Sequence, residues 1–143
     1  MKKEKIIINY KLDPGAYPPE RAHEEDAGWD LRTPSGITVS RGGSVSIDTG
    51  VHVEIPKGFV GFLKSKSGLN VKFGLTGEGV IDSGYTGSIV CKLYNNGTGF
   101  YKFNAGEKIT QLVFLPIPDV ELHEVKNFKT SERGDNGFGS TGK

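Results

Sequence analysis

The stretch Val51-His-Val-Glu-Ile-Pro-Lys-Gly-Phe-Val-Gly-Phe-Leu-Lys64 decides the class of fold. From Val51 to Ile55 apolar and polar side chains alternate, which is the period of a β-strand with one buried face. Pro56-Lys57-Gly58 then predicts a tight turn with proline at its first corner. Phe59 to Lys64 gives a second run of strand length. The stretch therefore predicts two strands in succession.

The same pattern, a short apolar or alternating run followed by a turn signal, recurs along the chain, and helical periodicity is nearly absent. Further strands are predicted at Lys5–Tyr10, Gly36–Ser40, Ser44–Ile47, Gly79–Ile81, Ser88–Tyr94, Tyr101–Phe103, Ile109–Pro116 and Glu121–Val125. Only Ser65 to Phe73 indicates helix, one short turn at most, with Ser65 or Ser67 as its cap. Many short strands separated by turns predict an all-β sandwich or jelly roll.

Length and charge restrict the possible functions. The 143 residues suffice for one domain, in which we expect a β domain at 1–127 and an extended arm at 128–143. The charge is nearly balanced, with 18 basic and 17 acidic residues. Binders of nucleic acids or membrane surfaces are usually strongly basic. We therefore expect no direct nucleic-acid partner and no membrane partner.

Cysteine usage and the amino terminus bear on the compartment. Cys91 is the single cysteine, which excludes a disulfide framework and a zinc site built from cysteines. The apolar run Ile6–Ile8 is too short for a signal peptide or a membrane span. We expect a cytoplasmic protein.

Two glycine-containing segments in the first half of the chain carry reactive polar side chains. In Asp26-Ala-Gly-Trp-Asp-Leu31, two carboxylates in a turn could hold a hard cation or form Asx turns. In Ser65-Lys-Ser-Gly-Leu-Asn70, small hydroxyls and a cation could form a phosphate nest or a capped loop. The residues alone favour the turn in the first segment and leave both interpretations of the second segment open.

Two further segments lie in the second half. Gly79-Val-Ile-Asp-Ser-Gly-Tyr-Thr-Gly87 delivers Asp82 into a tight turn, where its carboxylate could act as a general base or fill a hairpin turn position. Ala105-Gly-Glu-Lys-Ile-Thr-Gln-Leu-Val-Phe114 places Gln111 among apolar neighbours. A buried amide there needs hydrogen-bond partners.

The fifth segment is the carboxyl-terminal stretch Arg133-Gly-Asp-Asn-Gly-Phe-Gly-Ser-Thr-Gly-Lys143. Gly137 to Lys143 matches G-x-x-x-x-G-K, most of a P-loop. A P-loop needs a helix after the lysine, and the sequence ends at Lys143, so we reject that interpretation. The glycine-rich composition still suits anion binding by backbone N–H groups.

Taken in order, the five segments resemble the five motifs of the homotrimeric dUTPases (deoxyuridine triphosphate nucleotidohydrolases). The resemblance runs from Asp26 to Gly142, and Phe138 within Gly-Phe-Gly-Ser-Thr-Gly is its most specific residue. It implies a jelly-roll (β-clip) subunit and a homotrimer with active sites at subunit interfaces. It also implies Mg²⁺-dependent hydrolysis of dUTP to dUMP and pyrophosphate, which removes dUTP from the DNA precursor pool and supplies dUMP for dTTP synthesis.

The resemblance also implies roles for individual residues. Asp82 matches the base that activates the attacking water, Tyr85 the residue that packs under the deoxyribose, and Asp30 the carboxylate that holds Mg²⁺ through water. The substrate-binding positions on the body are Lys66, Ser67, Gly68, Gly79, Ile81 and Gln111. The substrate-binding positions in the arm are Arg133, Phe138, Gly139, Ser140 and Thr141, with Phe138 stacking on the uracil.

Three positions depart from the family's usual pattern. Lys66 stands where the second motif usually has Arg, so it would meet phosphate as a point charge and not bidentately. Trp29 stands where Tyr is common. Thr76 stands where Asn is frequent, so uracil recognition would depend on backbone groups between Gly74 and Gly79.

Two alternatives share this scaffold. In dCTP deaminase, a Glu on the strand after the third segment activates water, and the matching position here is Lys92, which disfavours deamination. The other is a nucleotide-gated regulatory protein built on the dUTPase scaffold. Asp82, Tyr85 and the complete arm favour catalysis over a purely regulatory role.

Overall fold

The computed structural model describes residues 4–139 and 142. It consists of eleven short strands and one short helix. In chain order these are β1 (Asn9–Leu12), β2 (Gly28–Arg32), β3 (Ile37–Val39), β4 (Ser44–Asp48), β5 (Val51–Glu54), β6 (Phe59–Lys64), α1 (Ser67–Phe73), β7 (Leu75–Thr76), β8 (Gly79–Ile81), β9 (Val90–Asn95), β10 (Tyr101–Phe103) and β11 (Lys108–Pro116). The predicted all-β fold class is confirmed.

The strands form four antiparallel sheets of unequal size. The largest has the order β2-β11-β6-β8, and a three-stranded sheet has the order β4-β9-β7. Two pairs, β1 with β5 and β3 with β10, complete the set. The turn at Pro56–Gly58 therefore passes the chain from one sheet to another, because β5 pairs with β1 whereas β6 pairs with β11 and β8.

Alternating side chains from these sheets meet in one core. In β9 the odd-numbered positions are buried and the even-numbered ones are exposed, as a strand with one covered face requires. The largest fully buried apolar side chains are Phe103, Leu31, Leu63, Leu75, Ile89, Leu93, Ile109 and Leu112. They come from most of the strands, so the short sheets depend on this shared core for stability.

The structure differs from the prediction at both ends of the chain. The first strand lies at Asn9–Leu12, four residues later than the predicted start at Lys5. The strand predicted at Glu121–Val125 is wrong, because β11 ends at Pro116 and residues 115–136 are exposed. Alternation predicts which side chains share a face, but a strand also needs a partner edge for its backbone groups.

Two strands and the helix cap were also wrongly assigned. The segment with Asp26 and Asp30, expected as a turn, continues into β2, and β7 was not predicted. The helix spans seven residues, about two turns. Its N-cap is Lys66, without a side-chain cap, and not Ser65 or Ser67. The Ser65 hydroxyl instead donates to Glu78 Oε1 and accepts from the Gly77 N–H.

The described helix is too short and too polar to cross a membrane.

The C-terminus of α1 generates a stability prediction. Gly74 ends the helix at φ 69°, and a Cβ there would lie 2.7 Å from Gly97 N and 2.9 Å from the carbonyl carbon of Asn96. Gly58 has φ 91° with open space around it, so Gly58→Ala should cost only the left-handed backbone strain of about 1–2 kcal/mol. Gly74→Ala should cost about 1–3 kcal/mol more, because backbone must move.

Denaturant unfolding of both variants at one protein concentration measures this difference. Equal losses in the free energy of unfolding would contradict the close approach of Gly74 to the 96–97 backbone.

Candidate functional site

Strand β11 brings three of the predicted motifs together. Gln111 lies opposite Asp30 on β2 and opposite Lys64 on β6. The chain continues from Lys64 directly to Ser65 and Lys66. The first, second and fourth segments therefore meet at this end of β6.

Asp30 is the electrostatic centre of this cluster. Its side chain is only 8% exposed, and Lys66 Nζ forms an ion pair with Oδ1 while Lys108 Nζ lies 3.2 Å from Oδ2. Burial raises the pKa of the Asp30 carboxyl, but the two ammonium groups outweigh it and leave the pKa below its ordinary value. The carboxylate is thus held ionised by two cations that are themselves partly exposed. We call Asp30, Lys66, Lys108 and Gln111 the Asp30 cluster.

Lys108 was not among the residues singled out from the sequence. It lies three residues before Gln111 in the fourth segment, at the first position of β11. The sequence feature that could have indicated Lys108 is its position as a cation in the fourth segment, where Gln111 is a predicted phosphate contact. Its pairing with a carboxylate on β2 is a tertiary feature that spacing does not reveal.

The side-chain amide of Gln111 has a hydrogen-bond partner, as its position among apolar neighbours requires. Its Nε2 donates to the Ser65 carbonyl oxygen at 3.1 Å. Gly28 leaves the room for this side chain, since a Cβ on Gly28 would lie 2.0 Å from Gln111 Oε1. Ser67 and Gly68 follow in the first turn of α1 and are exposed beside the cluster.

A second network fixes the segment between the helix and β8. Glu78 accepts from the Ser65 hydroxyl at 2.7 Å and from the Ser65 N–H at 3.1 Å, and it pairs with Lys64 at 2.8 Å. Burial raises the pKa of Glu78, but these partners outweigh it and lower the pKa. Ser65 is therefore held by Glu78, which contacts its N–H and hydroxyl, and by Gln111, which contacts its carbonyl oxygen. These contacts also fix where Lys66 begins.

Asp82 lies on an exposed loop at the end of β8. Gly79 and Ile81 belong to the strand, and Asp82 follows with an exposed side chain. The Asp82 carbonyl accepts from the Tyr85 N–H at 3.2 Å, which closes a turn. The Tyr85 hydroxyl donates to the Ser88 carbonyl at 2.7 Å. We call residues 82–88 the Asp82 loop.

The Asp82 loop is not a hairpin turn, contrary to one interpretation of the sequence. It connects β8, which pairs with β6, to β9, which pairs with β4 and β7. It therefore crosses between two sheets, and no direct strand pairing between β8 and β9 fixes its conformation.

The Asp82 loop and the Asp30 cluster lie at opposite ends of β6. Ile81 is paired with Gly61 near the start of β6, whereas Ser65 and Lys66 follow its last residue, Lys64. A strand of six residues is about 20 Å long. Within one chain the structure therefore does not bring the predicted base and the predicted phosphate contacts together.

The described part of the arm is exposed. Arg133 Nε donates to the Asn136 carbonyl at 2.7 Å, and the Phe138 side chain is fully exposed at φ 47°. Gly139 is exposed as well. Ser140 and Thr141, predicted as substrate contacts, lie outside the described residues.

Other residues from the sequence analysis have structural roles. Asp26 accepts from the His23 N–H at 3.0 Å through its side chain, and its own N–H donates to the His23 carbonyl oxygen at 3.1 Å, which closes a turn. Arg21 lies over the Trp29 ring at 4.4 Å, beside a groove of about 1030 Å³ that includes neither Asp30 nor Asp82. Cys91 is fully buried, and burial raises its pKa to about 11, which makes it a poor nucleophile.

The ion pairs of Asp30 generate a prediction. Asp30→Asn removes the charge between two ammonium groups and should lower the free energy of unfolding by about 1–3 kcal/mol. Asp26→Asn is the matched control, because an amide oxygen can still accept from His23, and it should stay within about 0.5 kcal/mol of the parent. Denaturant unfolding in EDTA, without nucleotide, measures both. Equal stability of the two variants would contradict the central position of Asp30.

Comparison with known proteins shows which family the sequence matches. The dUTPase family model matches residues 16–142. A deoxyuridine 5'-triphosphate nucleotidohydrolase from Clostridium acetobutylicum is 39% identical over 135 residues, which cover 92% of this chain and 93% of that protein.

Solved structures agree as well. The dUTPase of Staphylococcus bacteriophage 80alpha with dUPNHPP is 33% identical, with a TM-score of 0.88 over 96% of this chain and 99% of that chain. An aspartate-to-asparagine variant of the dUTPase from phage phi11 of S. aureus, described with a structural Mg(II) ion, is 31% identical, with a TM-score of 0.80 over 86% of this chain and 99% of that chain. By sequence and by fold, this chain belongs to the dUTPase family.

Proposed function

We propose that this protein hydrolyses dUTP to dUMP and pyrophosphate by attack of a water molecule that Asp82 activates, with Mg²⁺ bound near the phosphates. Membership of the dUTPase family supports the reaction. The observation that carries the mechanism is the exposed Asp82 carboxylate at the end of β8, three residues before Tyr85 in the loop that the third motif forms. A positioned carboxylate base contributes roughly 10²–10⁴ in rate.

Tyr85 selects the sugar in this proposal. Its hydroxyl donates to the Ser88 carbonyl, and the residue is still 46% exposed, so it is accessible to a deoxyribose. A Cβ on Gly87 would lie 2.6 Å from the Tyr85 hydroxyl oxygen, so the ring lies tightly against the loop backbone. A ring fixed in this way leaves no room for a 2′-hydroxyl.

The Asp30 cluster and the start of α1 bind the triphosphate. Lys66 and Lys108 place two ammonium groups at one point, and their side chains are 26% and 37% exposed. A bound triphosphate would compete with Asp30 for these cations, and ammonium groups bind phosphate as point charges. Gln111 and the exposed Ser67 and Gly68 add hydrogen-bond donors beside them.

The donor chemistry of Asp30 fits a magnesium ion held through water. A carboxylate offers about four lone-pair positions, of which the two lysines use two. Mg²⁺ keeps several waters and is usually bound by one or two carboxylates together with substrate phosphates. When bound, the ion would neutralise charge on the reacting phosphates. The phi11 phage relative is described with a structural Mg(II) ion, which supports magnesium binding in a relative of this chain.

The separation of the two parts of the site supports a shared active site. One nucleotide must meet both Asp82 and the phosphate contacts, yet these lie at opposite ends of β6 in a single chain. We infer that the Asp82 loop of one subunit faces the Asp30 cluster of another, in a homotrimer. The phage 80alpha relative bound to dUPNHPP supports dUTP as the ligand.

The arm completes the site in the same proposal. The described residues from 117 to 136 are exposed, so this segment is free to extend over a neighbouring subunit. Arg133 would reach the phosphates and Phe138 would stack on the uracil. Gly139, Ser140 and Thr141 would close over the terminal phosphate.

Lys92 occupies the position at which a dCTP deaminase carries its catalytic Glu, and a lysine cannot serve as that base. Lys92 lies exposed on β9 with its ammonium 5.3 Å from the centre of the Tyr94 ring. An ammonium group cannot accept the proton of the attacking water.

The substrate assignment is tested by pyrophosphate release from dUTP, dCTP, dTTP and UTP, each with and without Mg²⁺. We expect release from dUTP to be far faster than release from the other three nucleotides, and only with Mg²⁺. Ammonia release from dCTP would overturn the assignment in favour of deamination, and equal turnover of UTP would overturn the role of Tyr85.

Asp82→Asn tests the base. The amide keeps the size of the side chain but takes up no proton, so turnover of dUTP should fall by roughly 10²–10⁴ while dUTP binding persists. Single-turnover hydrolysis and equilibrium binding measure the two quantities separately. Near-normal turnover in this variant would rule out Asp82 as the base.

A further inference from the structure

His52 connects the Asp82 loop to the amino-terminal part of the chain. It lies on β5 opposite Lys11 of β1, and its side chain is only 16% exposed. Its Nδ1 lies 2.8 Å from the Thr86 carbonyl oxygen, and its Nε2 lies 2.9 Å from Asp13 Oδ1. One imidazole therefore touches both the residue after Tyr85 and a carboxylate in the loop after β1.

Both partners of His52 are oxygens that can only accept a hydrogen bond. A carbonyl oxygen requires a proton on Nδ1, and an ionised carboxylate requires a proton on Nε2. A neutral imidazole carries only one of these protons. The observed pair of contacts is therefore complete only when His52 is an imidazolium.

The far end of the Asp82 loop is fixed independently. The Ser88 hydroxyl donates to Asp48 Oδ1, and the same carboxylate oxygen accepts from the Gly50 N–H at 3.0 Å. The Thr86 carbonyl is held by His52 and the Ser88 carbonyl by the Tyr85 hydroxyl. Of these two contacts to residues outside the loop, the one from His52 to Thr86 is closer in sequence to Tyr85.

We propose that His52, protonated between Asp13 and Thr86, is a positioning residue that holds the Asp82 loop so that Tyr85 discriminates against a 2′-hydroxyl. This rests on the proposed function, in which Tyr85 packs under the deoxyribose. His52 touches neither the substrate nor the reacting atoms in this assignment. Its protonation state controls the loop and thereby the choice between dUTP and UTP.

The charges around the imidazole agree with this assignment. Asp13 and Asp48 act on His52 from the loop after β1 and from the end of β4, and Lys11 opposes them from β1. The hydrogen bond to Thr86 and then the one to Asp13 raise the pKa of His52 above its ordinary value of 6.5, against loss of hydration and the charge of Lys11. The pKa of Asp48 is lowered, first by the hydrogen bond from Ser88.

The sign of the pH effect follows from the raised pKa. The contact contributes fully below the unfolded-state value near 6.5 and is lost as pH rises through the higher folded-state pKa. A neutral imidazole keeps its proton on Nε2, because a hydrogen bond to a carboxylate is about twice as strong as one to a carbonyl. Nδ1 then presents a lone pair to the Thr86 carbonyl, so the loop is released on that side.

Three substitutions separate the two contacts. His52→Asn places an amide donor near Nδ1, so it keeps the bond to Thr86 at every pH and gives up Asp13. His52→Gln places its amide near Nε2, so it keeps Asp13 and gives up Thr86. Asp13→Asn removes the charge that holds the proton on Nε2, so a neutral imidazole can donate from Nδ1 to Thr86.

The kinetic experiment compares kcat/KM for dUTP and UTP between pH 6 and pH 9. The ratio cancels the titration of groups that act on both substrates, Asp82 included. In the parent protein, discrimination should fall by between about twofold and tenfold across the titration of His52, the range expected for one hydrogen bond. It should stay high and independent of pH in His52→Asn and Asp13→Asn, and low throughout in His52→Gln. A parent ratio that does not change with pH, or equal ratios for the Asn and Gln variants of His52, would overturn the proposal.

A second measurement needs no substrate and separates this proposal from the proposed function. In an NMR titration of the full-length protein, the Gly87 amide, which follows the Thr86 carbonyl, should shift with the same midpoint as the His52 ring. In Asp13→Asn the His52 ring should titrate at lower pH, and the Gly87 amide should no longer follow it, because a neutral imidazole still donates to Thr86. If the chemical shift of the Gly87 amide does not change as His52 titrates, the role of His52 is overturned even if dUTP is hydrolysed. A coupled shift without dUTP hydrolysis would instead retain the loop contact and reject the function.

Discussion

The central place of β11 in the four-stranded sheet is the constraint on which the site depends. This strand is hydrogen-bonded on both edges, to β2 and to β6, and its Leu112 is fully buried in the core. Its register aligns Gln111 with Asp30 on one side and with Lys64 on the other. A slip of one residue would turn every side chain of the strand to the other face. The register that buries Leu112 therefore also brings together Gln111, Asp30 and Lys64, where we propose that phosphate binds.

The negative charge of Asp30 is compensated by neighbouring lysine side chains and not by solvent. A nearly buried carboxylate such as Asp30 is unfavourable alone, and Lys66 and Lys108 offset that cost. The same two ammonium groups are partly exposed, which the proposed exchange of Asp30 for phosphate requires. The cluster thus holds two cations at a fixed position, which would reduce the ordering that the proposed triphosphate must bring about. It also explains how lysine can occupy the second motif, because Asp30 holds its flexible side chain.

Sequence reasoning reached the fold class and several strand limits, since Phe59–Lys64 and Tyr101–Phe103 carry a plain apolar pattern between turn signals. It failed at β2, because Asp30 looks like a turn residue until its distant lysine partners are known. It also failed at Glu121–Val125, where Leu122 and Val125 suggest a short strand but the described part of the chain offers no strand that pairs with it. Local sequence patterns predict which side chains share a face. Residues distant in sequence decide whether a charged side chain is buried and whether a predicted strand has a partner.

The same distinction separates the two halves of the site. The Asp30 cluster is fixed by the register of a central sheet and can change little without unfolding it. The Asp82 loop crosses between sheets, so single side-chain contacts at Thr86 and Ser88 must hold its conformation. One of those contacts, from His52, changes strength with protonation, whereas a strand register does not. In the proposed mechanism, selection of the sugar is therefore the step that can respond to pH, while binding of the triphosphate stays tied to the stability of the core.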